Sequence, residues 1–225
     1  MANTRFGSTI LAGAENIIII PLYAITMVYI SLTICFTTWD FDPDTHEEHE
    51  ICCFRFTDLP PHLDPRPKVP ILFKVIGQIA LEDCFLTADG YECPESSGAE
   101  DEHLATCWIE TRPDYISETY WLGVVPAVQE IANHIPTDVD TSKLIGEDEG
   151  QVRLQVCYQP PAGQSITSTL PLYNIRGERQ VPSCISEVPF GHPMRVAFAL
   201  ECRYCRDEPE CERVLVAMLE HMTIV

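Results

Sequence analysis

The stretch "MRVAFALECRYCRDEPECERVLVAMLEHMTIV", residues 194–225, consists of two long apolar runs on either side of a short charged segment that contains proline. Apolar runs bounded by turn residues are typical of strands, and a short polar segment between two such runs is typical of a hairpin. The sequence therefore predicts a β-hairpin with an acidic tip at 194–225.

The chain before residue 194 repeats this alternation of apolar runs and turn-rich connectors. Further strand candidates are "ICCFRF", "LATCWIET" and "QVRLQVCYQ". The run "ILFKVIGQIALEDCFLT" is another, and Gly77 is expected to break it. One segment, around 114–135, has apolar residues at helical spacing instead, and Pro126 inside it predicts a kink. The pattern predicts a mainly β fold, a β-sandwich or jelly-roll-like domain with one helical segment around 114–135.

We expect a single domain over 1–225, because the residues before the proline-rich connector at 58–70 are too few for an independent core. Proline interrupts both helices and sheet ladders, so this connector is expected to cross between sheets as an extended loop.

An apolar run at 16–39 contains no charged residue. Its length matches a membrane-spanning helix, which needs about 20 apolar residues. Its many β-branched residues and the alternation of its second half favour buried strands instead. We expect buried strands at 16–39, with a membrane anchor as the alternative.

The charge of the chain is strongly negative. Thirty-four acidic residues against fourteen basic ones give a net charge of -20. A surface of this sign repels phosphate backbones, so direct binding of nucleic acid is not predicted. Other protein subunits are the expected partners, in an oligomer, and a membrane is the alternative partner through 16–39.

Eleven cysteines are many for a chain of 225 residues. In a secreted protein they would indicate a disulfide framework. Most of them lie inside apolar, strand-like runs, where a free cysteine behaves as a small apolar residue. The sequence therefore favours a reducing compartment, with a cytoplasmic or particle-associated protein as the expectation and a membrane-anchored one as the alternative.

The acidic stretch "WDFDPDTHEEHEICC", residues 39–53, contains the densest set of metal-ligand types in the chain. Alternating aspartates resemble the start of a calcium loop, but the glycine and the final glutamate of that loop are missing. The histidine and cysteine spacing could suit zinc without matching a known zinc motif. A solvated acidic loop is favoured, so no cofactor is predicted, with zinc or calcium as the alternative. The candidate ligands are Asp40, Asp42, Asp44, His46, His49 and Cys52.

The hairpin tip carries a second cysteine group, Cys202, Cys205 and Cys211. Residues three apart on a strand face opposite sides, so Cys202 and Cys205 could share a metal only at a bend. Free thiols without a chemical role are favoured. A disulfide between Cys205 and Cys211 is the second interpretation, and a metal site is the third.

Motifs of hydrolases and of phosphate-binding loops are absent from the sequence. No catalytic residue is therefore predicted, and the sequence favours a non-catalytic protein. The predicted function is a structural or assembly subunit, such as a capsid-type or scaffold protein, acting through protein contacts. The alternatives are a membrane-anchored, cysteine-rich ectodomain and a metal-binding protein or metal-dependent enzyme.

Overall fold

A computed structural model describes the chain at 18–21, 32–42, 47–56, 68–87, 105–111, 121–132, 139–142, 144–148, 151–160, 164, 166–204 and 213–225. For the strands before residue 71 the description is of the backbone. The strands are β1 (Ile18–Pro21), β2 (Leu32–Asp42), β3 (Glu47–Phe56), β4 (Lys68–Ile79), β5 (Ala105–Glu110), β6 (Val139–Asp140), β7 (Ile145–Asp148), β8 (Gln151–Tyr158), β9 (Leu172–Tyr173), β10 (Met194–Tyr204) and β11 (Arg213–Ile224). The helices are α1 (Val124–Ala132) and α2 (Ile166–Thr169), and a 3-10 turn spans Ile185–Glu187. The predicted mainly β class is confirmed.

The predicted C-terminal hairpin is present as the antiparallel pair β10–β11. Its register runs from Met194 opposite Ile224 to Tyr204 opposite Arg213. A bulge interrupts the register after Ala197, where one extra residue of β11, Glu220, is accommodated. Bulges increase local twist and bend a strand, which helps a sheet to curve.

The curved sheet closes into a five-stranded barrel. β4 pairs with β5, β5 with β8, β8 with β11, β11 with β10, and β10 again with β4. The β8–β11 pair is parallel and the other four pairs are antiparallel. Closure leaves these strands without a free edge. All described strands belong to this one hydrogen-bonded sheet, so the predicted sandwich or jelly-roll arrangement stays unconfirmed. A sandwich and a closed barrel show the same alternation of apolar and polar residues along each strand. Only the pairing between strands that are distant in the chain distinguishes them.

Closure depends on β4 changing partners at Gly77. β4 pairs with β10 up to Gly77 and with β5 from Gln78 onward. A Cβ at Gly77 would lie 2.5 Å from the carbonyl oxygen of Glu110 and 3.0 Å from the indole of Trp121. Trp121 also donates its indole N–H to the carbonyl oxygen of Ile76 at 2.8 Å. Glycine is therefore required sterically, and the strand break expected at Gly77 is instead a change of partner within a continuous strand.

The barrel interior is filled by the inward-facing side chains of its strands. Phe73 and Phe198 stack there with ring centroids 5.9 Å apart. Around them lie further fully buried residues, among them Ile71, Val75, Ile109, Leu154, Val156, Leu200, Leu215, Ala217 and Leu219. Apolar burial of this extent is the main stabilising contribution to such a domain.

Helix α1 is shorter than the predicted helical segment. It buries Val124, Ala127, Val128 and Ile131 against the barrel core. Pro126 lies in the first turn of this helix, where its missing N–H would have no helical partner in any case. The expected kink at Pro126 is therefore replaced by a helix start.

The N-terminal strands extend the barrel sheet. β1 runs parallel to β4, and β2 and β3 form a hairpin whose second strand pairs with β4 and β10. The run at 16–39 thus contains β1 and most of β2, but the burial of their side chains lies outside the description and stays a prediction. The connector prediction at 58–70 overlaps β4, which begins at Lys68, and 57–67 lie outside the described residues. No helix in the described part of the chain is both long and apolar enough to span a membrane.

Candidate functional site

The candidate metal ligands of the acidic stretch lie on the β2–β3 hairpin as far as the structure describes them. The backbone register places Asp40 opposite His49, and Phe36 opposite Cys52. Asp42 is opposite Glu47, the last residue pair of this register, at the C-terminal end of β2. Within the described ranges no group of three or more His, Cys, Asp or Glu side chains could hold a metal ion. The candidate site itself stays a prediction, because Asp44 and His46 lie outside those ranges.

The cysteine group of the hairpin tip is divided by the structure. Cys202 is fully buried in β10 and belongs to the barrel core. Cys205 and Cys211 lie outside the described residues, so their pairing stays a prediction. The barrel buries further thiols, and burial raises the pKa of Cys84 to about 11 and that of Cys107 well above its usual value. Thiols of this kind are protonated at neutral pH and are poor nucleophiles.

The outer surface of β5 and β8 is acidic. Its one described cation, Arg153, forms ion pairs with Glu82 at 3.3 Å, Glu110 at 3.3 Å and Asp148 at 2.5 Å. Three carboxylates around one guanidinium leave this surface with excess negative charge. We call it the β5–β8 face.

The outer surface formed by β4, β10, β11 and β9 has a different composition. Pairing aligns one row of residues across the four strands, with Ile76 beside Arg195, Arg195 beside Thr223 and Thr223 beside Tyr173. A second row places Lys74 and His221 on either side of Ala197. These residues are exposed or half-buried, whereas the residues that alternate with them, such as Val75, Val196 and Met222, are buried in the barrel core, so the named residues face outward. We call this surface the β10–β11 face; its residues are Lys74, Ile76, Tyr173, Arg195, His221 and Thr223.

An aromatic pair lies on the β10–β11 face. The rings of Tyr173 and His221 stack with centroids 4.5 Å apart and planes inclined by 19°. The hydroxyl of Thr223 and Nε2 of His221 share a hydrogen bond that fixes the imidazole. Burial lowers the pKa of His221 below its usual 6.5, and the positive charges of Lys74 and Arg195 lower it further. The two cations therefore lie close to the stacked rings.

Five lysine and arginine side chains are described, and four of them lie on the β10–β11 face or on the turn beside it. The fifth, Arg153, is held by the carboxylates of the β5–β8 face. Lys74 and Arg195 lie on the β10–β11 face, and Arg176 and Arg179 are exposed on the turn that follows Tyr173. Arg179 is itself bridged to Tyr173 and so continues the row of Arg195 and Thr223. The surface combines positive charge, two half-buried aromatic rings and one apolar side chain, Ile76, that is 40% exposed.

None of these residues was singled out from the sequence. Lys74, Tyr173, Arg195 and His221 are distant in the chain, and each one alone is an ordinary strand residue. They become neighbours through the β4–β10 and β11–β9 pairings. The alternation of His221 and Thr223 along one apolar strand was the available signal, since it marks which residues of that strand face outward.

No protein-family model and no curated protein matches the chain. The solved structures that are similar to it include two bacteriophage proteins. One is the single-stranded DNA binding protein gp2.5 encoded by bacteriophage T7, with 14% identity over 68% of this chain and 85% of that one, at a TM-score of 0.37. The other is the single-stranded DNA-binding protein of bacteriophage Enc34 in a C-terminal truncation, with 12% identity over 87% of this chain and 96% of that one, at a TM-score of 0.42.

Both neighbours are named as single-stranded DNA-binding proteins, and neither is named as a capsid or scaffold component. These names contradict the predicted function as a structural or assembly subunit and the prediction of no direct nucleic-acid partner, and neither prediction is kept. The physical reason is that net charge is a sum over the whole chain. A ligand responds mainly to charges within a Debye length, about 8 Å at physiological salt, and Lys74 and Arg195 lie together on the β10–β11 face.

Proposed function

We propose that this protein binds single-stranded nucleic acid on the β10–β11 face. The observation that carries the proposal is the stacked pair of Tyr173 and His221 with Lys74 and Arg195 beside it. Proteins that bind single strands combine cations that follow the backbone with aromatic rings on which bases stack. Both elements are present here on neighbouring strands.

The geometry suits a single strand better than a duplex. Aromatic rings can stack only on bases whose faces are accessible, and in a duplex those faces are covered by neighbouring bases. Neighbouring strands lie about 4.8 Å apart, so the row from Ile76 to Tyr173 extends roughly 15 Å across the sheet. A path of that length accommodates a few nucleotides.

The barrel topology bears on where such a ligand could bind. Five-stranded Greek-key barrels of the oligonucleotide- and oligosaccharide-binding type usually bind along their second and third strands. In the closed ring described above, those strands correspond to β5 and β8, and the carboxylates around Arg153 make that surface repel phosphate. The ligand is therefore assigned to the opposite side of the barrel, where the four described cations other than Arg153 lie.

Fluorescence anisotropy with a labelled oligo-dT tests the proposal. Replacing Tyr173 by Leu keeps an apolar side chain on β9 and removes the ring. Because stacking on one aromatic contributes about 1–3 kcal/mol per base, we expect a clear loss of affinity. Replacing the exposed Arg195 by Gln should also weaken binding, since one phosphate contact is lost.

The matched control is Gln155→Ala on the β5–β8 face, which should bind as the wild type does. Thermal unfolding of each variant would show that the fold is retained. The proposal is rejected if the wild-type protein does not bind the oligonucleotide, or if Tyr173→Leu and Arg195→Gln bind it as tightly as Gln155→Ala.

A further inference from the structure

We propose that the turn after β9 is a second contact for the same single strand, beyond the β10–β11 face. This inference rests on the proposed function. The turn, which we call the β9 hairpin, comprises residues 172–180, and the contact is assigned to Ile175 and Arg176 at its tip.

Backbone hydrogen bonds hold the β9 hairpin in one shape. Gln180 N–H donates to the Leu172 carbonyl at 2.8 Å, and Asn174 N–H donates to the Glu178 carbonyl at 2.9 Å. Gly177 N–H donates to the Asn174 carbonyl at 2.9 Å, and Gly177 has a φ of +76°, which glycine adopts without strain. The tip is therefore held rigidly by its own backbone.

The side chain of Asn174 braces the same turn from inside. Its Oδ1 accepts the backbone N–H of Arg176 at 2.8 Å and of Glu178 at 3.0 Å. Its Nδ2 donates to the carboxylate of Glu178 at 2.8 Å. Glu178, the one acidic residue of the β9 hairpin, therefore has its carboxylate hydrogen-bonded within the turn.

This rigid turn presents an apolar side chain and a cation to solvent. Ile175 is 73% exposed and Arg176 is exposed beside it. Contact with a ligand would remove the apolar surface of Ile175 from water, which is favourable. A nucleobase packs on an apolar side chain, and the adjacent phosphate pairs with a guanidinium.

The tip continues the path of the β10–β11 face. Tyr173 belongs to both surfaces, and Ile175 follows it by two residues, a reach of about 7 Å along an extended backbone. Arg179 lies opposite Tyr173 and adds positive charge between them. Continuity and charge both favour the same anionic strand over an unrelated protein as the occupant of the tip.

Oligonucleotides of two lengths distinguish the contact at the β9 hairpin from the contact on the β10–β11 face. Single-strand sites on one barrel of this type span about 4–16 nucleotides, so a labelled dT oligomer of about 5 nucleotides is compared with one of about 15. The test variant is Ile175→Ser combined with Arg176→Gln. We expect the longer oligomer to lose about tenfold in affinity, the effect of roughly one lost base contact. We expect the short oligomer to bind unchanged.

Leu122→Ser is the matched control, because Leu122 is 77% exposed on the turn before α1. It should bind both lengths as the wild type does. The inference is overturned if the tip variant loses affinity equally for both lengths, or for neither, while the wild type binds both. If the wild type binds neither length, the proposed function fails, and that result is distinct from a failure of the tip contact. Circular dichroism of the variant would confirm an unchanged fold.

Discussion

His221 lies at the centre of the β10–β11 face, stacked on Tyr173 from β9 and close to Lys74 of β4 and Arg195 of β10. Glu220 precedes it on β11 and is buried. Burial of the imidazole and repulsion by the two cations both disfavour its charged form. At neutral pH His221 is therefore neutral, and it acts on the face as an aromatic ring.

Acidification should strengthen binding to the proposed ligand. Protonation of His221 adds a third positive charge to the face, and because its pKa lies below 6.5, the change occurs on the acidic side of that value. We expect the affinity for oligo-dT to rise between about pH 7 and about pH 5, the range in which histidine responds. Anisotropy titrations measure this dependence.

His221→Asn should remove most of that pH dependence, whereas His192→Asn, at an exposed loop position, should retain it. An equal pH dependence in both variants would contradict the role assigned to His221. The stability of the free protein should change in the opposite direction. The unfolded chain takes up the His221 proton more readily than the folded chain, so this group lowers the free energy of unfolding as the pH falls through 6.5.

Strand β4 pairs with both β10 and β5, and these two pairings determine the closure of the barrel and the position of the β10–β11 face. Its first half pairs with β10 and carries Lys74 and Ile76 onto the β10–β11 face. Its end pairs with β5 and closes the barrel. The position of the face therefore depends on the change of partner at Gly77.

Gly77→Ala should destabilise the protein substantially. The added Cβ would lie 2.5 Å from the backbone oxygen of Glu110, and backbone cannot turn aside as a side chain can. Overpacking of this kind costs about 1–3 kcal/mol, which urea unfolding would measure. Gly146→Ala serves as the control, because its nearest contact is the ring of Trp108 at 2.9 Å, which can rotate. Equal stability of Gly77→Ala and wild type would show that the partner change does not need glycine.

At the scale of the whole molecule, a net charge of -20 surrounds a small positive surface. Long-range repulsion should slow association with nucleic acid, because electrostatic steering depends on the total field. The stability of the proposed complex would depend on the few cations close enough to contact phosphates.

The salt dependence of binding should therefore be shallow. For single strands the slope of log affinity against log salt is about -0.7 per phosphate contact. Four cations, Lys74, Arg176, Arg179 and Arg195, predict a slope no steeper than about -3. Arg195→Gln should reduce its magnitude by about 0.7. A slope steeper than about -5 would contradict this assignment, since it would require more phosphate contacts than these four residues can provide.

The sequence pattern predicted the mainly β class, the hairpin at 194–225 and a helical segment around 114–135, within which the structure has the helix Val124–Ala132. Each depends on the local spacing of apolar residues, which a single stretch of chain reveals. Gly77 was also visible as an interruption of a strand, although its steric role was not.

The closure of the sheet and the proximity of Lys74 and Arg195 depend on the tertiary structure. Strand alternation is the same in a sandwich and in a barrel, so closure depends on the pairing of β8 with β11 and of β4 with β10. Lys74, Tyr173, Arg195 and His221 come from four different strands, and register alone makes them neighbours. The net charge of the chain could not locate these cations, because a sum over the chain does not record which surface each charge occupies.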